Sequence, residues 1–122
     1  MAVEIVNWLE IPVVDMTGAR AFYEAVFKFR IVDLEIGGDT YPCFPNRDGE
    51  GFSGALVQYD FTQPGKHGPI VYLNAYGDLE AMLARIVSAS GKVVQAKQEI
   101  APGYEYVAVF EDTEGNLLAL QG

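Results

Sequence analysis

The chain has 122 residues, half of them hydrophobic and 20% charged, which suits one domain with a packed core and excludes a disordered chain. Seventeen acidic residues outweigh eight basic ones for a net charge of −9, and the basic residues are scattered, so phosphate-driven nucleic-acid binding is excluded. No apolar run approaches the roughly 18–20 residues of a membrane span, and "MAVEIVNWLEIP" carries Glu4 and Glu10 with no basic start, so neither a membrane partner nor a leader is expected.

Along the chain, "VEIVNWLEIPVV" is rich in β-branched residues and alternates from Trp8 onward. Leu9, Ile11 and Val13 fall on one face, Trp8 and Glu10 on the other, as in a half-buried strand. Asp15 then caps a predicted helix to about Phe27, with Phe22, Tyr23, Val26 and Phe27 at helical spacing. "FRIVDLEI", "TYPCF" and "FSGALVQY" read as strands, separated by turns at Gly37–Asp39 and Pro45–Gly51. Thr62–Pro69, "TQPGKHGP", reads as a linker.

After the linker the pattern repeats. "IVYLNA" is a predicted strand, and Asp78 caps a second helix with Leu79, Met82, Leu83, Ile86 and Val87 on its apolar face. Gly91 is expected to end it in the left-handed conformation. "KVVQAK", "YEYVAVF" and "NLLALQ" are three further strands. Gly49–Gln58, "GEGFSGALVQ", lies over Thr113–Gly122, "TEGNLLALQG", matching Gly51 to Gly115, Ala55 to Ala119 and Leu56 to Leu120. Repetition in length, order and detail points to internal duplication. The predicted fold is α+β, a single domain over 1–122. It is built of two tandem βαβββ modules at about 3–61 and 68–121, whose sheets form a half-open, eight-stranded, barrel-like cleft with the helices outside.

The stretches "IPVVDMTGARAFYEAVFKF", "DLEAMLARIVSASGKVV" and "FEDTEGNLLAL", in this order and in a duplicated frame, resemble the vicinal oxygen chelate superfamily. That superfamily includes glyoxalase I, bleomycin-resistance proteins, fosfomycin-resistance enzymes and extradiol dioxygenases. The resemblance covers essentially the whole chain and is closest in flavour to small glyoxalase-like proteins. It implies a cleft that holds a divalent metal in many members. The donors come from the first and fourth strands of each module, usually His or Gln and then Glu, with open positions where the metal polarises a substrate oxygen.

Carried over residue by residue, these positions fall on Trp8, Ala55 and Ala119, and in the fifth strand on Ile70, or on Val71 without one extra residue in "AYGDLE". None is a metal donor, so no metal and no cofactor is expected. His67, the only histidine, lies in the linker, and Cys43, the only cysteine, excludes an intrachain disulfide and fits a reducing, cytoplasmic setting. Glu10, two residues after Trp8 on the same strand face, is the candidate for acid–base work, or for a displaced ligand if the register slips.

By alternation the cleft wall is expected to include Trp8, Glu10, Ser53, Tyr72 and Asn74, with Tyr104 or Tyr106 as further candidates. Aromatic walls with a few polar groups suit a planar small molecule, and the net charge suits a cationic one. Three readings follow. One is a metal-free protein binding a small molecule. Another is a lyase or dioxygenase-type enzyme using displaced ligands or Glu10 as base. The third is a module whose cleft Trp8 plugs. The resemblance also implies a homodimer.

Overall fold

In the computed structural model, which describes residues 5–100, 102, 103 and 105–122, the alternation after Trp8 becomes strand β1 (Leu9–Pro12). Ile11 and Val13 are buried on one side while Glu10 is exposed on the other. The strand is shorter than expected at its start, and Val3 and Glu4 lie outside the described residues. Asp15 caps helix α1 (Met16–Phe27) by accepting a hydrogen bond from Gly18 N at 3.1 Å. Ala19, Phe22, Tyr23 and Val26 form its buried stripe. Strands β2 (Val32–Ile36), β3 (Asp39–Pro45) and β4 (Phe52–Val57) complete the first module.

The second module runs β5 (Tyr72–Asn74), α2 (Leu79–Ser88), β6 (Lys92–Glu99), β7 (Tyr106–Glu111) and β8 (Leu117–Gln121). The two sheets have the same order, β1-β4-β3-β2 and β5-β8-β7-β6, with the first and last strand of each module paired in parallel. The duplication read in the sequence is thus a duplication of topology. Among the described residues the eight strands form two four-stranded sheets and no closed barrel. No helix of the described residues is long and apolar enough to cross a membrane.

Both helices feed one core. Phe22, Tyr23 and Val26 from α1 and Met82, Leu83 and Ile86 from α2 join Ile11, Phe44 and Leu56 of the first sheet and Ala108, Phe110 and Leu120 of the second. Arg85 Nε donates to Val26 O at 2.8 Å, stitching α2 to α1. A smaller cluster lies apart from this core: Cys43, Ala55 and Val57, with Leu34, Tyr41, Phe52 and Tyr59 against it.

Two details of α2 differ from expectation. Val87 is 60% exposed, because the core-facing stripe is completed by Leu79, Met82, Leu83 and Ile86 alone. The left-handed residue at the helix end is Ser90, at φ 74°, and Gly91 is not in that region. Gly91 is required for space instead: a Cβ there would sit 2.7 Å from Phe22 and 2.9 Å from Glu111 O. Asp78 occupies the N-cap position without a side-chain capping bond, its carboxylate being turned to Arg85 at 3.3 Å.

The loop between β7 and β8 locks the second module onto the first. Asp112, 5% exposed, accepts from Tyr23 OH at 2.6 Å, from Glu114 N at 2.8 Å and from Asn116 N at 2.9 Å. Asn116 Nδ2 donates to Pro12 O at 2.8 Å, and Glu114 Oε1 accepts from Asp15 N at 2.8 Å and from Val14 N. A buried carboxylate so fully partnered holds both modules in one geometry.

Candidate functional site

Two neighbouring surfaces share the residues singled out in the sequence. The first is the face of sheet one turned away from α1. Register places Glu10 directly across from Ala55, and Tyr72 directly across from Ala119. The residues beside the two alanines are therefore Glu10 and Tyr72, each two positions on from the Trp8 and Ile70 of the residue-by-residue reading. Glu10 Oε2 accepts from Trp8 Nε1 at 3.2 Å and from Tyr59 OH at 3.0 Å. The Tyr59 ring stacks on Phe61, with centroids 4.9 Å apart. Burial first, and the Glu10 hydrogen bond next, raise the Tyr59 phenol far above its ordinary range, so it stays a donor. Burial likewise raises the Cys43 thiol, helped by Asp33 and Glu10, which keeps it protonated and poor as a nucleophile or ligand at neutral pH.

Few donor side chains for a divalent ion gather on this face or at the matching position of the second sheet. Ala55 and Ala119 are fully buried and offer no donor atom. Glu10 already receives two hydrogen bonds. Among the described residues no group of three or more His, Cys, Asp or Glu side chains is gathered anywhere. His67 lies exposed in the segment between β4 and β5.

The second surface is a cleft of about 1100 Å³ between β1 and β5. Four of the five expected wall residues line it: Trp8, Ser53, Tyr72 and Asn74. Glu10 does not line it, because its carboxylate is drawn back to Tyr59. Trp8 is 38% exposed and Tyr72 is 55% exposed, so neither indole nor phenol is packed into a filled core. The apolar floor is Tyr23, Phe27, Phe44 and Met82. Tyr104 lies outside the described residues, and Tyr106 lines a separate, smaller hollow, its ring under Lys97 Nζ at 4.3 Å.

The rim contains residues that the sequence pattern did not place at the cleft: Lys28, Asn46, Arg47, Tyr76, Asp78 and Arg85. Arg47, from the β3–β4 loop, lies over the Tyr76 ring at 4.2 Å and bridges the modules. Tyr76 itself is held at φ 54°, its N–H donating to Asn74 Oδ1 at 2.8 Å. The β3–β4 loop reaches Tyr76 just before α2, and the β7–β8 loop reaches Asp15 at the head of α1.

Two βαβββ modules with an aromatic cleft between their first strands define a class of duplicated α+β proteins. The chain belongs to the Glyoxalase/Bleomycin resistance protein/Dioxygenase superfamily, whose family model matches residues 5–120. Among solved structures it is similar to TnmS3, an antibiotic binding protein from Streptomyces sp. CB03234, at 21% identity. That match covers 99% of this chain and 97% of that one, with a TM-score of 0.65. UcmS2 is similar at 22% identity over 99% and 98% of the two chains, with a TM-score of 0.66. The fosfomycin resistance protein FosX from Listeria monocytogenes, solved with Mn(II) and 1S,2S-dihydroxypropylphosphonic acid, is similar at 13% identity. It matches over 98% and 90% with a TM-score of 0.63. At these identities the likeness speaks for the fold. No curated protein matches the chain.

Proposed function

We propose that this chain is a small-molecule binding member of the superfamily that works without the family metal. It takes a planar, partly apolar molecule between Trp8 and Tyr72. The observation that carries the reading is the cleft of about 1100 Å³, roomy enough for a drug-sized ligand and lined by exposed aromatic rings over an apolar floor. The absence of donors at Ala55, Ala119 and Ile70 supports the metal-free part. TnmS3, an antibiotic binding protein of the same fold, supports sequestration as a role. We place the protein in the cytoplasm as a homodimer, the first on its single free cysteine and the second on the family resemblance.

Trp8 is the only tryptophan, so its fluorescence reports on this wall alone. A screen of planar aromatic compounds is expected to find some that quench it saturably and raise the melting temperature. If no compound perturbs the emission and neither iodide nor acrylamide reaches the indole, Trp8 is a plug and the binding reading falls.

A second reading has one specific observation behind it. Glu10 is held between Trp8 and Tyr59, as a positioned base would be. An enzyme using Glu10 would lose turnover in Glu10→Gln while keeping ligand affinity, whereas a binding protein has no turnover to lose.

A further inference from the structure

We propose that the cleft is built for an anion: an aromatic or apolar body bearing a carboxylate or similar acid. This rests on the binding reading and reverses the charge that the chain's composition suggests.

Among the described residues, three of the chain's eight basic residues line the cleft (Lys28, Arg47 and Arg85), against Asp78 as its one acid. Arg85 is committed, with Nε on Val26 O and a terminal nitrogen 3.3 Å from Asp78. Lys28 and Arg47 are paired with no carboxylate among the described residues. In a chain of net charge −9, two unpaired cations facing one concavity create a local field of the opposite sign to the whole. Arg47 holds its guanidinium carbon 4.2 Å from the Tyr76 ring centre with no carboxylate partner among the described residues, which leaves donors for a bidentate acid.

The internal repeat supplies a model of the occupant. In the register that matches Gly51 to Gly115, Asp48 Oδ1 accepts from Glu50 N as Asp112 Oδ1 accepts from Glu114 N. In the second loop, Glu114 puts its own carboxylate on the backbone N–H groups of Val14 and Asp15 at the head of α1. In the first, Arg47 stands over the corresponding turn before α2. There Glu50 bonds through its backbone, its N–H donating to Asp48 Oδ1 and its carbonyl accepting from Asn46 Nδ2. One junction is closed by a carboxylate of the chain, and the other is left as a cleft with cations around it. A ligand acid beside Arg47 completes the symmetry.

The test is calorimetry of the full chain with 2-naphthoate, 2-naphthamide and 2-naphthylmethylammonium. The carboxylate is expected to bind about tenfold tighter than the other two, an advantage that shrinks toward about 1 M salt, where the Debye length is only about 3 Å. Lys28→Asn, whose new side chain tolerates the left-handed backbone at φ 57°, and Arg47→Gln should each lower the carboxylate-to-amide ratio severalfold. Arg47→Lys should keep more of that ratio than Arg47→Gln, and Lys92→Gln, outside the cleft lining, should leave it alone. If the amide or the ammonium binds as tightly as the carboxylate, the anion inference is overturned and the binding reading stands. If none of the three binds at millimolar concentration, both are overturned.

Discussion

Tyr23 is 1% exposed and its hydroxyl reaches across the modules to Asp112. Removing that hydroxyl in Tyr23→Phe leaves the carboxylate its backbone and Asn116 donors, so the expected loss is about 1–2 kcal/mol of stability in urea unfolding. Burial first, then the Asp112 carboxylate, raises the Tyr23 phenol well above its ordinary value. The folded state thus holds this proton more tightly than the unfolded state does. Stability is full below about pH 10, where an unfolded tyrosine titrates, and falls as pH rises beyond it. The urea midpoint should fall above that pH more steeply in the unaltered chain than in Tyr23→Phe. Ala55 and Ala119 carry the other residue-scale prediction. Elemental analysis after dialysis is expected to find well below one equivalent of Zn, Ni, Mn or Fe per chain. A full equivalent that disappears in Glu10→Ala would show that the donors had moved to that side chain.

At the scale of elements, β1 is held to β4 by a close approach that only glycine permits. A Cβ on Gly54 would lie 2.0 Å from Leu9 O, a backbone atom that cannot step aside without breaking the parallel pairing. Gly54→Ala is therefore expected to cost about 3 kcal/mol or more, and to detach the strand carrying Trp8 and Glu10. Thermal unfolding, with Trp8 emission as a local reporter, checks both effects. The end of α2 offers the opposite case. Ser90 bears a left-handed backbone at φ 74°, which a non-glycine residue adopts at a cost of about 1–2 kcal/mol. Ser90→Gly should raise the melting temperature, with about 1 kcal/mol recovered after the greater entropy of the unfolded glycine is offset. Gly91→Ala should lower it, because Phe22 and Glu111 O leave no room.

For the whole molecule, exposed apolar residues are the quantity that matters. On the outer strands β2 and β6, Ile36 is 50% exposed and Val94 52%. A symmetric partner covering such strand surface would remove it from water. Light scattering at micromolar concentration is expected to give twice the 13.4 kDa of one chain. A mass that stays at one chain on concentrating would overturn the homodimer.

Much of the fold was legible in the sequence, because strand alternation at Leu9, Ile11 and Val13 and the helical spacing of Phe22, Tyr23 and Val26 are imposed by local backbone geometry. The same holds for the Asp15 cap and for the repeat that pairs Ala55 with Ala119. By itself the sequence also determined that these alanines hold no donor atom. Tertiary structure decided which residues surround the cleft. Trp8, Ser53, Tyr72 and Asn74 could be read from alternation, since each lies on a strand whose faces are set by its neighbours. Lys28, Arg47 and Arg85 could not, since they come from a helix end, a loop and another helix. What brings them together is the packing of α1 against α2 and the crossing of each β-loop to the opposite module. Those contacts depend on the shapes of two finished modules, and no local period in the chain records them.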